Sequence, residues 1–225
     1  MVLTVCTRLD DAKPVIRLRR MITEKPPIVI IIDDDASFRA MLSRLVGTVG
    51  LKSIAFTSAE EFLAAPQPDC PACLVLDVQM PGLSGLDLQR QLRQGQRPLP
   101  IVFTTGHGDI PMTVEAMKAG AVGFLSKPFR NQDMIDAIKE GIARDREARK
   151  RLDEVADLHS RYESLTAREK EVFALVTTGS LNKQIAQKLG TSERTIKAHR
   201  AQVVIKMRAD SVADLVRMAD KLGVV

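Results

Sequence analysis

Three aspartates in a row, Asp33, Asp34 and Asp35, follow directly on the apolar run IVIII at residues 28–32. Carboxylates this close repel by roughly 1 to 4 kcal/mol per pair at effective dielectrics of about 80 to 20. A chain that keeps them needs a cation among them. Further along, CLVLD ends in Asp77 ahead of VQMPGLSG, and PIVFTT ends in Thr104 and Thr105 ahead of GHG; VGFLS is followed by Lys127 and Pro128. Three carboxylates, a hydroxyl and an ammonium suit a hard dication and a phosphoryl group. Mg²⁺ favours a few carboxylates with water and phosphate oxygens, and an ammonium offsets charge on a transferring phosphoryl group. A carboxylate nucleophile needs no general base, so no histidine is required; His107, inside Gly-His-Gly, admits a loop role and a functional one.

The elements that must position these residues alternate. IVIII, KSIAF, CLVLD, PIVFTT and VGFLS read as short buried strands. Between and after them, FRAMLSRLVGTVG, SAEEFLAA, LDLQRQLR, TVEAMKAG and NQDMIDAIKEGI carry helical spacing, and Ser58 with Glu61 three residues on has the capping-box pattern. Five strands alternating with five helices predict a doubly wound parallel sheet, whose chemistry gathers beyond the carboxyl ends of its strands. All the residues singled out above fall at such ends.

The alternation stops after residue 140. RDREARKRLDEVADLHSR is a charged, helix-favouring run without Pro or Gly, and the preceding helix is expected to continue into it. Four short helices follow, in REKEVFALVTTG, NKQIAQKLG, SERTIKAHRAQVVIKMR and SVADLVRMADKLG, which predicts a small bundle. Within it, NKQIAQKL, the Gly190-Thr191 turn and SERTIKAHRAQVVIKM form a helix-turn-helix pattern. Ile185, Ala186 and Leu189 supply one inner face, and Ile196, Val203 and Met207 the other. Arg194, Lys197, Ala198 and Arg200 are left pointing outward on a helix that fits a DNA major groove.

Composition agrees with two soluble units. The chain has 225 residues, 45% hydrophobic and 27% charged, and no apolar run approaches the roughly 18 residues of a membrane span; a cytoplasmic protein without a membrane partner is expected. Three cysteines fit a reducing compartment. The Cys70–Cys73 pair leads into a strand, whereas a thioredoxin-like pair opens a helix, and a zinc site needs more ligands. Lys and Arg number 10 against 13 Asp and Glu over residues 26–140, but 12 against 7 over residues 161–225. An acidic block for metal and phosphoryl chemistry thus precedes a basic block for a polyanion. Residues 1–25, six basic against three acidic, read as a loose, disordered N-terminal extension.

IIIDDDASFR, LVLDVQMPGLSG, IVFTTGHGD and FLSKPF resemble, in order and spacing, the signature segments of response-regulator receiver domains. LTAREKEV, NKQIAQKL, TIKAHR and IKMRADS resemble the LuxR/NarL-type DNA-binding domain. The chain is thus similar to the NarL/FixJ type of two-component response regulators, in its FixJ branch. The resemblance implies a receiver at 26–140, a helical linker at 141–160 and a helix-turn-helix domain at 161–225. It implies that Asp77 accepts a phosphoryl group from a sensor histidine kinase, with slow self-dephosphorylation as the only other catalysis. Asp33, Asp34, Asp77 and the main-chain carbonyl of Gln79 would hold Mg²⁺. Lys127 and Thr105 would contact phosphoryl oxygens, and Thr105 with Phe124 would switch a face near residues 111–140 toward homodimerisation. Base-edge contacts would come from Lys197 and Ala198, base or phosphate contacts from Arg194 and Arg200, and a phosphate contact from Lys183. Leu215 and Val216 would be dimer candidates on the last helix. The partners implied are promoter DNA, RNA polymerase and a second copy of the chain.

Two other readings use some of the same residues. Asp33 to Ser37 also reads as D-x-D-x-S, close to the opening motif of haloacid-dehalogenase-type phosphatases. That reading lacks a late acidic pair and leaves Asp77 and the bundle without a role. The other alternative is a DNA-binding factor whose receiver serves as a phosphorylation-independent interaction module. The complete set Asp33, Asp34, Asp77, Thr105 and Lys127 favours the phosphorylated switch.

Overall fold

A computed structural model describes residues 25–95, 98–106 and 110–224. His107 and residues 1–24 of the N-terminal extension therefore lie outside the described residues. The chain divides into two compact units, one up to Glu147 and one from Ala148.

In the first unit five parallel strands lie in the order β2-β1-β3-β4-β5: β1 (Ile28–Ile32), β2 (Lys52–Phe56), β3 (Ala72–Asp77), β4 (Ile101–Thr105) and β5 (Gly123–Ser126). The helices are α1 (Ala36–Thr48), α2 (Ala59–Ala64), α3 (Gly85–Arg93), α4 (Ile110–Lys118) and α5 (Asn131–Glu163). This is the fold the alternation predicts. Period-two alternation sends successive strand residues to opposite faces. Ile30, Ile32, Leu74, Leu76, Ile101 and Phe103 build one apolar layer. Val29, Ile31, Cys73, Val75 and Val102 build the other, against Leu42, Leu45 and Val46 of α1 and Met134, Ile138 and Ile142 of α5. Central β3 is buried from end to end, as a strand covered on both faces must be.

The expected extension of the last helix is present: α5 runs 33 residues, through the charged run. Of the apolar residues spaced along that run, Leu152 and Val155 are exposed and Leu158 is buried. At Gly141 the helix backbone passes so close to Cys73 that a β-carbon there would strike its sulfur. Neither Cys70 nor Cys73 is in a disulfide, and burial pushes the Cys73 thiol up to about 12, with the charge of Asp145 adding to it. A thiolate nucleophile is thereby disfavoured, and no redox or zinc role is assigned to the pair.

The capping box expected at α2 is only half formed. Ser58 accepts from the Glu61 amide, but the Glu61 carboxylate turns to the Thr57 amide and hydroxyl, both at 2.7 Å. The neighbouring hydroxyl offers a second donor, which the Ser58 amide lacks.

The second unit holds α6 (Ala167–Thr177), α7 (Asn182–Lys188), α8 (Glu193–Met207) and α9 (Val212–Leu222). Its core joins Val172, Phe173 and Val176 to Ile185, Ile196, Val203, Met207, Leu215 and Ala219. Thr166 and Glu169 form a complete capping box at the start of α6. Glu169 is itself buried and takes a 2.6 Å bond from Lys206 of α8. That bond outweighs the burial, so the Glu169 carboxyl sits below its usual range.

Candidate functional site

The register of the sheet assembles the first site. Ile32 pairs with Leu76, so Asp33 and Asp77, each one residue further on, end neighbouring strands side by side. Both are buried, at 1% and 5% exposure. Lys127, the first residue past β5, closes the site: its Nζ lies 2.7 Å from Asp33 Oδ2 and 3.0 Å from Asp77 Oδ1. Its own amide donates to the Thr105 carbonyl at 2.7 Å, which fixes where the side chain begins. The clustered carboxylates are thus tolerated because one ammonium serves two of them.

The electrostatics follow from burial and from this sharing. Burial raises the Asp77 carboxyl above its usual range; the Lys127 bond and charge pull the other way, and the Asp33 charge pushes up again. For Lys127, burial works against the ammonium, but the bonds and charges of Asp33 and Asp77 outweigh it and raise its pKa. Lys127 is thus held as an ammonium, while burial keeps the Asp77 carboxyl easier to protonate than a free one.

The remaining aspartates separate by role. Asp35 is the N-cap of α1, accepting from the amides of Ser37 and Phe38. Asp33 uses its second oxygen for the Asp35 amide at 2.9 Å, and Arg39 donates to the Asp33 carbonyl at 2.6 Å. Asp34 is exposed. Among the described residues no three His, Cys, Asp or Glu side chains are grouped as a metal site, so Asp34 is not gathered with Asp33 and Asp77 in this arrangement. The donor chemistry nevertheless fits Mg²⁺: two buried carboxylates that already share one cation, at the mouth of a strand end.

Behind Asp77 the chain turns tightly. The Gln79 amide donates to Asp77 Oδ2 at 3.2 Å and the Gly85 amide to the Val78 carbonyl at 3.0 Å. A β-carbon at Gly85 would strike the Asp77 carbonyl, so a glycine lets α3 start this close to the site. Glu60 of α2 reaches over and accepts from the Leu83 amide at 2.9 Å. Thr105 is fully buried at the end of β4. Phe124 on β5 is half-buried, its ring tilted 41° against Phe103 at 6.2 Å. The neighbouring Thr104 hydroxyl is buried without a hydrogen-bond partner among the described residues, and nothing in the structure explains it.

Sequence reasoning missed three supporting residues. Arg39 and Glu60 hold the backbone on either side of the carboxylates, and the Lys127 ammonium sits 3.8 Å above the centre of the Phe38 ring. Arg39 and Phe38 had a signal, since both lie in the first turns of the helix that the aspartates open. Glu60 had none, because its reach to Leu83 is a product of tertiary packing.

The second site is the face of α8. Ser192 caps the helix by accepting from the Thr195 amide, and Gly190 makes the preceding turn at φ +62°. Ile196, Val203 and Met207 are buried, while Arg194, Lys197, Ala198 and Ala201 are exposed, as is Lys183 on α7. Arg200 departs from this pattern. It is half-buried and donates to Asn182 Oδ1 at 2.6 Å, tying the two helices of the motif together. On α9, Leu215 belongs to the core at 1% exposure and Val216 is 43% exposed, so only the second can meet a partner.

Comparison with known proteins places both regions of the chain in known families. Residues 29–139 match the response regulator receiver domain, and residues 163–219 match the luxR family of bacterial regulatory proteins. Nodulation protein W of Bradyrhizobium diazoefficiens is 52% identical over 197 residues, which span 88% of this chain and 87% of that protein. The transcriptional regulatory protein FixJ of the same species is 42% identical over 196 residues, spanning 87% and 95%. Among solved structures, the response regulator StyR has a TM-score of 0.79 and 44% identity, covering 88% of this chain and all of that one. Full-length FixJ from B. japonicum has a TM-score of 0.53 and 40% identity, covering 90% and 100%.

Proposed function

From the premise that the chain belongs to the NarL/FixJ-type two-component response regulators, transcription regulators with a receiver and a luxR-type DNA-binding domain, we propose that Asp77 is its phosphoacceptor. The observation that carries this is the Lys127 ammonium bridging buried Asp33 and Asp77 at the carboxyl edge of the sheet. An Asp77 oxygen attacks the phosphorus of a phosphohistidine on the sensor kinase, the P–N bond breaks, and an acyl phosphate forms. Lys127 offsets the charge on the transferring group, and the Thr105 hydroxyl takes a phosphoryl oxygen. Asp33, Asp34, Asp77 and the Gln79 carbonyl would hold Mg²⁺, which when bound supplies further neutralisation of the phosphoryl oxygens.

Phosphorylation is then felt through Thr105 and Phe124. Drawing Thr105 toward the phosphoryl group leaves room for the half-buried Phe124 ring to turn inward, remodelling the face around residues 111–140 into a homodimer surface. Two copies present two α8 helices to promoter DNA, with Lys197 and Ala198 at base edges, Arg194 at base or phosphate, and Lys183 at phosphate. Arg200 adds a phosphate contact from its position beside Asn182. RNA polymerase is the further partner of the DNA-bound dimer.

The test is phosphoryl incorporation from acetyl phosphate with Mg²⁺, comparing the protein with Asp77→Asn. Label that is labile to acid and base, and absent from the variant, is the expected result. Equal labelling of the two proteins would exclude Asp77 as the acceptor.

A further inference from the structure

Lys127 has a third partner besides its two carboxylates. Its Nζ stands 3.8 Å from the centroid of the Phe38 ring, well inside the roughly 6 Å over which an aromatic face attracts a cation. The ring does not stand alone: Phe129, two residues past Lys127, meets it edge-on at 5.9 Å and 81°. Phe38 comes from the first turns of α1, whose start is fixed by the Asp35 cap. A lysine side chain, with four rotatable bonds, is otherwise free among many rotamers. With two carboxylates and a ring face within about 4 Å of the ammonium, that freedom is reduced before any reaction begins.

We infer that Phe38 is a positioning residue for phosphoryl transfer, its ring face holding the Lys127 ammonium beside the Asp77 oxygen. This rests on the reading of Asp77 as phosphoacceptor. Apolar filling alone would be served as well by leucine, which can cover Phe129 but has no π face. Leucine and tyrosine at this position therefore separate the two roles. The ring acts through Lys127, so its effect on the reaction must vanish when Lys127 is absent.

Two measurements on the full chain test this. The first is the NMR signal of the Lys127 ε-methylene, assigned by its loss in Lys127→Arg. It is expected upfield from the ring current, to return toward the ordinary lysine position in Phe38→Leu, and to stay upfield in Phe38→Tyr. A signal that does not move in Phe38→Leu would show that the ring does not cover the ammonium and would overturn the inference. The second is labelling from acetyl phosphate. Phe38→Leu is expected to slow it about three- to tenfold at saturating donor, with the half-saturating concentration unchanged and Phe38→Tyr within about twofold of the parent. In a Lys127→Ala background Phe38→Leu should add nothing. An equal slowing in that background would assign Phe38 to packing alone and overturn the inference. Labelling of the parent that survives Asp77→Asn would remove the phosphoacceptor reading instead, and the NMR signal would still decide where the ring sits.

Discussion

The two functional regions of this molecule use cations in opposite ways. At the sheet edge one lysine is half-buried and shared by two buried carboxylates, Asp33 and Asp77. On α8 and α7 the cations Arg194, Lys197 and Lys183 are exposed. A buried charge is held by its partners, and removing one partner leaves another uncompensated in a poorly solvated place. An exposed cation on a helix loses little when its neighbours change, and its attraction for a polyanion is weakened by salt. The first region should therefore respond to substitution steeply and as a unit, the second gently and nearly residue by residue.

The largest expected effect lies in the first region. Lys127→Ala should slow phosphoryl acceptance by Asp77 by about 10² to 10³-fold, measured as initial labelling from acetyl phosphate. A loss of less than about tenfold would mean that the ammonium balances charge at rest without serving the transfer.

The next sharpens the contrast from the other side. Lys197→Ala should cost about 1 to 3 kcal/mol of discrimination between specific and random DNA. Lys183→Ala should weaken both alike and reduce the slope of log affinity against log salt by about one. Identical effects of the two substitutions on both kinds of DNA would break the assignment of base and phosphate contacts.

The smallest concerns a buried charge within the second region, where the contrast is internal to one unit. Glu169 has a lowered pKa, held there first by Lys206. A carboxyl depressed on folding contributes stability above its unfolded pKa, and that contribution is lost as pH falls through its folded value. Glu169→Gln, which keeps an amide oxygen for the capping box but removes the charge that Lys206 bonds, should lower stability at neutral pH by about 1 kcal/mol. The difference should shrink on acidification below the ordinary glutamate range. Denaturant unfolding of both proteins at several pH values would check it, and a difference independent of pH would assign the effect to helix capping alone.

Much of this was legible in the sequence because it is local. The strands announce themselves as runs such as IVIII and CLVLD, and the residues that follow each run are already ordered along one edge by the parallel topology. The helix-turn-helix reads equally well, since the apolar positions of each helix fall on one inner face within the 26 residues from Asn182 to Met207. What escaped depends on contacts between distant segments. The sequence brings Asp33, Asp77 and Lys127 to one mouth without indicating that the Lys127 ammonium spans the other two. It marks Arg200 as outward, yet a 2.6 Å bond to Asn182 draws it against α7. Leu215 and Val216 look equivalent in the chain, but helical rotation puts one in the core and one at the surface.

One buried contact bears on where the receiver can be cut free. Asp145, fully buried on α5, accepts from the amide of Ala72 at 2.8 Å. Ala72 opens β3, the strand that ends in Asp77. A fragment ending at residue 140 would contain every signature segment and still lack this acceptor. The first amide of the central strand would be left bare in an apolar layer, at a cost of about 1 to 3 kcal/mol. The shortest self-sufficient piece should therefore reach past Asp145, more than one helical turn beyond residue 140.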